Sequence, residues 1–186
     1  MDIYYFDDIQ ETEQEYTIVI YCENVPGVTS YISNLFSRIG VNINSLIGAS
    51  SENSDVYRVI IKCTVTPTGL EKIVKHLHKL INIIDVQDSR STHFIEYEMS
   101  LIRLSFSAPV PREVFTLIEQ FQGKIIQYED RLITMSFSNT PENLQTIINV
   151  FQDFGRLEVV NSGVAVLERK GSPPSDQEDK SQSSTF

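Results

Sequence analysis

Tryptophan is absent from the 186 residues, histidine occurs three times and cysteine twice. Each scarcity closes off a class of chemistry. His76 and His78 lie two apart in a helical pattern and so point to different faces, while His93 sits in a connecting stretch; no two imidazoles share a metal. Cys22 and Cys63 each fall in an apolar strand pattern, and their spacing matches no metal or redox motif, so both read as small core residues. Positive charge is short as well. The 15 Lys and Arg stand against 25 Asp and Glu, for a formal charge of −10 and a pI near 4.7. Such a balance lacks the basic footprint of a nucleic-acid or anionic-membrane binder. No apolar run approaches the ~20 residues that span a bilayer. Six acidic residues and no Lys or Arg precede Tyr16, which suits neither a secretory signal nor an organelle transit peptide, so the expected location is cytoplasmic.

Catalytic signatures are missing too. The sequence has no Gly-rich phosphate loop, no Gly-x-Ser-x-Gly elbow and no cysteine nucleophile with a helper. Its carboxylates are scattered or gathered near the ends. The expectation is a chain without a catalytic site, metal or cofactor of its own.

What is present is a pattern that occurs twice. Residues 16–22 alternate in polarity, with Ile18, Ile20 and Cys22 on one side and Thr17, Val19 and Tyr21 on the other. Val28, Ile32, Leu35, Phe36 and Ile39 recur at helical spacing, and Gly40 is a C-cap signal. Residues 41–50 and 55–66 read as a hairpin around the polar turn 51–54. A helix over 69–80 and a strand over 83–87 complete β-α-β-β-α-β. The second round comprises a strand over 94–107, a helix over 111–121, strands over 124–128 and 132–137, a helix capped by Thr140 and running to Phe151, and a strand over 157–166. This predicts an α+β protein of two tandem ferredoxin-like βαββαβ domains over 16–90 and 91–170, preceded by an acidic extension over 1–15. Residues 171–186 form a polar tail expected to be disordered.

Ferredoxin-like folds serve several functions. An acylphosphatase would need an Arg in the loop after the first strand, where this chain has Asn24, Pro26 and Gly27. An RNA-recognition motif would need sheet-face aromatics among Lys and Arg, whereas the first sheet face reads Thr17, Val19, Tyr21, Arg58, Ile60 and Lys62. The junction Glu23-Asn24-Val25-Pro26-Gly27-Val28 points elsewhere. A strand runs into a short turn with Pro and Gly, and a helix follows at once. Unpaired N–H groups at the helix start, beside a carboxamide, suit a small carboxylate. The helix end favours that charge by ~0.3–2 kcal/mol, and Asn24 and Asn42 supply both donors and acceptors.

A strand ending in Glu-Asn, then x-x-Gly, then a helix leading to Gly-x-Asn-Ile, resembles an ACT domain, an amino-acid-sensing module. The strings Leu35-Phe36-Ser37-Arg38-Ile39-Gly40-Val41-Asn42-Ile43-Asn44-Ser45-Leu46 and His76-Leu77-His78-Lys79-Leu80 resemble the small regulatory subunit of acetolactate synthase. So do Glu96-Tyr97-Glu98-Met99-Ser100-Leu101, Phe121-Gln122-Gly123-Lys124-Ile125-Ile126 and Ser162-Gly163-Val164 in the second half. Tyr97 and Asn161 stand where that family more often has Arg. The resemblance implies a homodimer through the ACT domains and a catalytic large subunit as partner, which carries thiamine diphosphate, Mg and FAD. It also implies feedback inhibition by valine or a related branched-chain amino acid. By position, the effector site takes Asn24, Val25, Gly27 and Val28 from one chain and Asn42 and Ile43 from the facing chain. A tandem-ACT regulator of another enzyme, or of transcription, is the alternative.

Overall fold

A computed structural model describes residues 11–170. Its first half runs β1 (Gln14–Glu23), α1 (Val28–Arg38), β2 (Ser45–Ser50), β3 (Val56–Val65), α2 (Pro67–Leu77) and β4 (Ile83–Asp88). The second runs β5 (Phe94–Ser105), α3 (Arg112–Gln120), β6 (Lys124–Glu129), β7 (Leu132–Asn139), α4 (Pro141–Gln152) and β8 (Arg156–Glu168). Each half folds into its own four-stranded antiparallel sheet, ordered β2-β3-β1-β4 and β6-β7-β5-β8. These are tandem ferredoxin-like domains, α+β as the periodicity predicts.

Alternation decides which side chains meet the helices. Ile18, Ile20 and Cys22 of β1 join Val59, Ile61 and Cys63 of β3 beneath Ile32 and Phe36 of α1 and Leu70 and Ile73 of α2. In the second half Ile102, Leu104, Ile133, Met135 and Phe137 lie beneath Val114, Ile118, Leu144 and Phe151. Each large apolar side chain so enclosed stabilises its layer by roughly 1.5–3 kcal/mol.

Three element starts differ by two residues or more from the sequence reading. β2 begins at Ser45 instead of 41. Gly40 sits at φ +72°, its neighbour Val41 bonds back to Phe36, and Asn42 and Ile43 form a connecting loop. α2 begins at Pro67 instead of 69, because the Thr66 hydroxyl accepts the Gly69 amide at 3.1 Å. β1 takes in Gln14 and Glu15, which the sequence reading gave to the acidic extension, since both pair with β3. The N-terminal residues 1–10 and the tail after 170 lie outside the described residues.

The two sheets meet. β5 pairs with β7 only from Glu98 onward but with β8 from Phe94, so Phe94–Tyr97 and Ala165–Glu168 continue past β7 as a two-stranded ribbon. Val164 at the foot of that ribbon and Val166 within it enclose Val19 and Ile60 on the helix-free face of the first sheet, with Tyr21, Ile47 and Phe94 around them.

Candidate functional site

The turn between β1 and α1 is held by backbone bonds from both sides. Glu23 donates its amide to Asn82 O, and Asn24 donates its amide to Asp55 O, each at 2.9 Å. The Asn24 carboxamide donates to Ser54 O at 2.8 Å, and the Asn82 carboxamide donates to the Glu23 carboxylate at 2.7 Å. Gly27 occupies the N-cap at φ +88°, the left-handed region that a β-carbon penalises. It carries no side chain to cap the helix, and the first turn of α1 holds no carboxylate. Among the described residues the amides of Thr29 and Ser30 find no partner. The helix therefore presents bare donors and the positive end of its dipole, an arrangement that suits an anion.

The six expected site residues do not meet within one chain. Asn24, Val25, Gly27 and Val28 lie where β1 ends and β3 begins, beside Asp55. Val25 is exposed, whereas Val28 is buried in the core. Asn42 is exposed and Ile43 packs at the edge of the core. Both precede Asn44, whose amide donates to Lys62 O at 2.8 Å, and Ser45, which pairs with Lys62. The stretch of β3 from Val56 to Lys62 separates the two groups, roughly 20 Å at strand rise. A groove of about 340 Å³ lined by Val28, Tyr31, Lys79, Leu80, Ile81, Asn82 and Ile83 includes only one of the six.

Sequence reasoning missed a second constellation, at the junction of the two halves. Glu96 Oε1 accepts the Thr17 hydroxyl at 2.7 Å, and its Oε2 accepts Lys62 Nζ at 2.8 Å. Glu15 adds a more distant carboxylate, 3.9 Å from Lys62 Nζ. Nothing local distinguishes these residues; their partners lie 79 and 34 positions away. Among the described residues no group of three or more His, Cys, Asp or Glu is placed to hold a metal. No helix among them is long and apolar enough to cross a membrane.

Comparison with known proteins covers both halves. Residues 18–85 match the family model of the AHAS small subunit-like ACT domain, and residues 97–170 match that of the small subunit of acetolactate synthase. The acetolactate synthase small subunit of Mycolicibacterium smegmatis is 31% identical over 83% of this chain and 91% of its own. The chain belongs to the acetolactate synthase small-subunit family. A chloroplastic small subunit from Arabidopsis thaliana is 27% identical over 89% of this chain and 35% of its own longer one. The crystal structure of the Thermotoga maritima acetolactate synthase small subunit superimposes with a TM-score of 0.73. That match covers 86% of this chain and 99% of the other at 27% identity. The first half is thus an ACT domain of this family, and the bare helix start lies on its β1–α1 turn.

Proposed function

We propose that this chain is the cytoplasmic regulatory subunit of acetolactate synthase. It activates a catalytic large subunit that carries thiamine diphosphate, Mg and FAD, and it makes that subunit sensitive to a branched-chain amino acid, with valine the first to test. Kinship along both halves with small subunits of this enzyme carries the reading. The chain itself contributes binding and shape change in place of chemistry.

Geometry supports a site shared by two copies. β2 is an edge strand whose sequence, Ser-Leu-Ile-Gly-Ala-Ser, contains no charge and no proline. The opposite edge, β4, bears the exposed carboxylate of Asp85. Charge and proline are the usual guards against edge pairing, so β2 is the open edge. Antiparallel pairing of β2 with its two-fold copy places the start of one β2 beside the end of the other. Asn42 and Ile43 of one chain then approach the Gly27 turn of its neighbour, closing the gap of roughly 20 Å that each chain keeps by itself. The effector carboxylate sits at the bare α1 amides, with the Asn42 carboxamide opposite.

The test is calorimetric titration of the full chain with valine, leucine and isoleucine, followed by assay with the catalytic subunit. Gly27→Asp sets a fixed carboxylate where the effector's would go, and Asn24→Ala frees the loop from Ser54. Both variants should lose amino-acid binding and inhibition while still activating the partner. Responses to valine identical to the parent's would mean the site lies elsewhere.

A further inference from the structure

We infer that Lys62 and Glu96 form the latch through which an amino acid seated at the first sheet reaches the second domain. This rests on the effector site proposed above. Lys62 faces two ways. Its backbone carbonyl holds the amide of Asn44, at the end of the loop carrying Asn42 and Ile43. Its ammonium crosses the junction to Glu96, 2.8 Å away, with the two side chains only 13% and 22% exposed.

Glu96 is equally committed. Its other oxygen takes the hydroxyl of Thr17, a residue 4% exposed. Thr17 also fixes the joint between the two halves: its carbonyl accepts the Ser89 amide at 3.0 Å, and its own amide donates to Ser89 Oγ at 3.2 Å. From Thr17, β1 runs directly to Asn24 and Gly27. One carboxylate of the second domain therefore touches the strand behind the helix-start turn and the residue behind the Asn42 loop. A shift at either half of the shared crevice is felt at Glu96.

The apolar contact beside the latch leaves little room for slack. β8 carries a bulge at Ser162–Gly163, where Gly163 adopts φ +81°. A β-carbon there would lie 2.5 Å from Ile47 Cδ1 of β2. The Gly163 amide donates to the Glu98 carboxylate at 3.1 Å, which ties the bulge to β5. Packed interfaces of this kind switch between discrete arrangements and do not deform smoothly.

The experiment uses the full chain with its catalytic subunit and the variants Lys62→Met, Glu96→Gln and the exchange Lys62→Glu with Glu96→Lys. Valine affinity of the chain alone should stay within about threefold of the parent, while inhibition of the assembled enzyme weakens by about tenfold or more in each single variant. The exchange should restore inhibition. Thr17→Val, which removes only the hydroxyl, serves if Lys62→Met does not fold. Spin labels at Lys72→Cys and Glu119→Cys report the distance between domains, which should broaden in the single variants and narrow again in the exchange. Parent-like inhibition in the single variants overturns the latch, as does loss of valine binding together with unchanged label distances. If the parent binds no branched-chain amino acid, the proposed function fails by itself. The latch is then judged by the label distances alone, and identical distributions overturn it.

Discussion

Asp88 shows how a single side chain can hold the joint between domains. It ends β4 and is 6% exposed, and its carboxylate takes the Arg90 amide at 2.9 Å and the Arg90 guanidinium at 3.2 Å. Burial pushes its pKa up, but the Arg90 bonds and charge outweigh burial and hold it below the ordinary aspartate value. A carboxyl depressed in the folded state adds stability above its unfolded pKa, near 3.9, and loses that contribution as pH falls through the folded value. Asp88→Asn keeps one acceptor oxygen and removes the charge facing Arg90, whose side chain is 37% exposed, so it should cost about 0.5–1.5 kcal/mol at neutral pH. Denaturant titrations at stepped pH should show the difference from the parent shrinking below about pH 4; a difference independent of pH would exclude this account. Cys63 moves the other way. Burial, and then the charge of Glu15, push its thiol up to about 11, which leaves it un-ionised and inert near neutrality.

At the scale of elements, caps mattered more than periodicity. Two helices begin with Thr-Pro: Thr66-Pro67 and Thr140-Pro141. Apolar spacing alone starts α2 at 69, two residues late, because it takes no account of the first pair as a cap. In the structure both hydroxyls accept the amide three residues on, at 3.1 and 3.4 Å. The Glu11 carboxylate also accepts the Thr68 amide at 3.0 Å and the Thr68 hydroxyl, adding a second anchor to the start of α2. Thr66→Ala should lower stability by about 1 kcal/mol, seen as a lower midpoint in thermal unfolding by circular dichroism; an unchanged midpoint would mean Glu11 alone suffices. The succession of elements along the chain, the helix count and both helical cores were legible because 2.0 and 3.6 periods report burial directly. The candidate turn was legible too, through Pro26, Gly27 and the carboxamide before them. The covering of Thr17, Val19 and Ile60 was not. A period of two says that one face is apolar, and it does not say whether a helix layer or a neighbouring domain lies over it.

The whole molecule adds what no single element carries. The six residues of the candidate site, on the β1–α1 turn and in the loop before β2, serve one purpose only if a second copy brings them together, so the assembly itself becomes the testable object. Ala49 is exposed on β2 and pairs with Arg58. Ala49→Lys sets a positive charge on the open edge beside an existing one, a device that natural edge strands use to refuse partners. Sedimentation equilibrium should show the parent at twice the 21.2 kDa chain mass and the variant shifted toward that of one chain; equal masses would place the two-fold contact elsewhere. On the proposed reading, in which the neighbour supplies half of each site, valine binding should weaken in parallel.

The ribbon of β5 and β8 that reaches over the first sheet also limits how this protein can be taken apart. Cutting the chain at its midpoint would strip the lid from Val19 and Ile60 and leave Thr17 and Lys62 without their carboxylate. A sensor fragment made that way inherits a greasy wound, and whatever it binds or clumps with in isolation reports on the missing half as much as on itself.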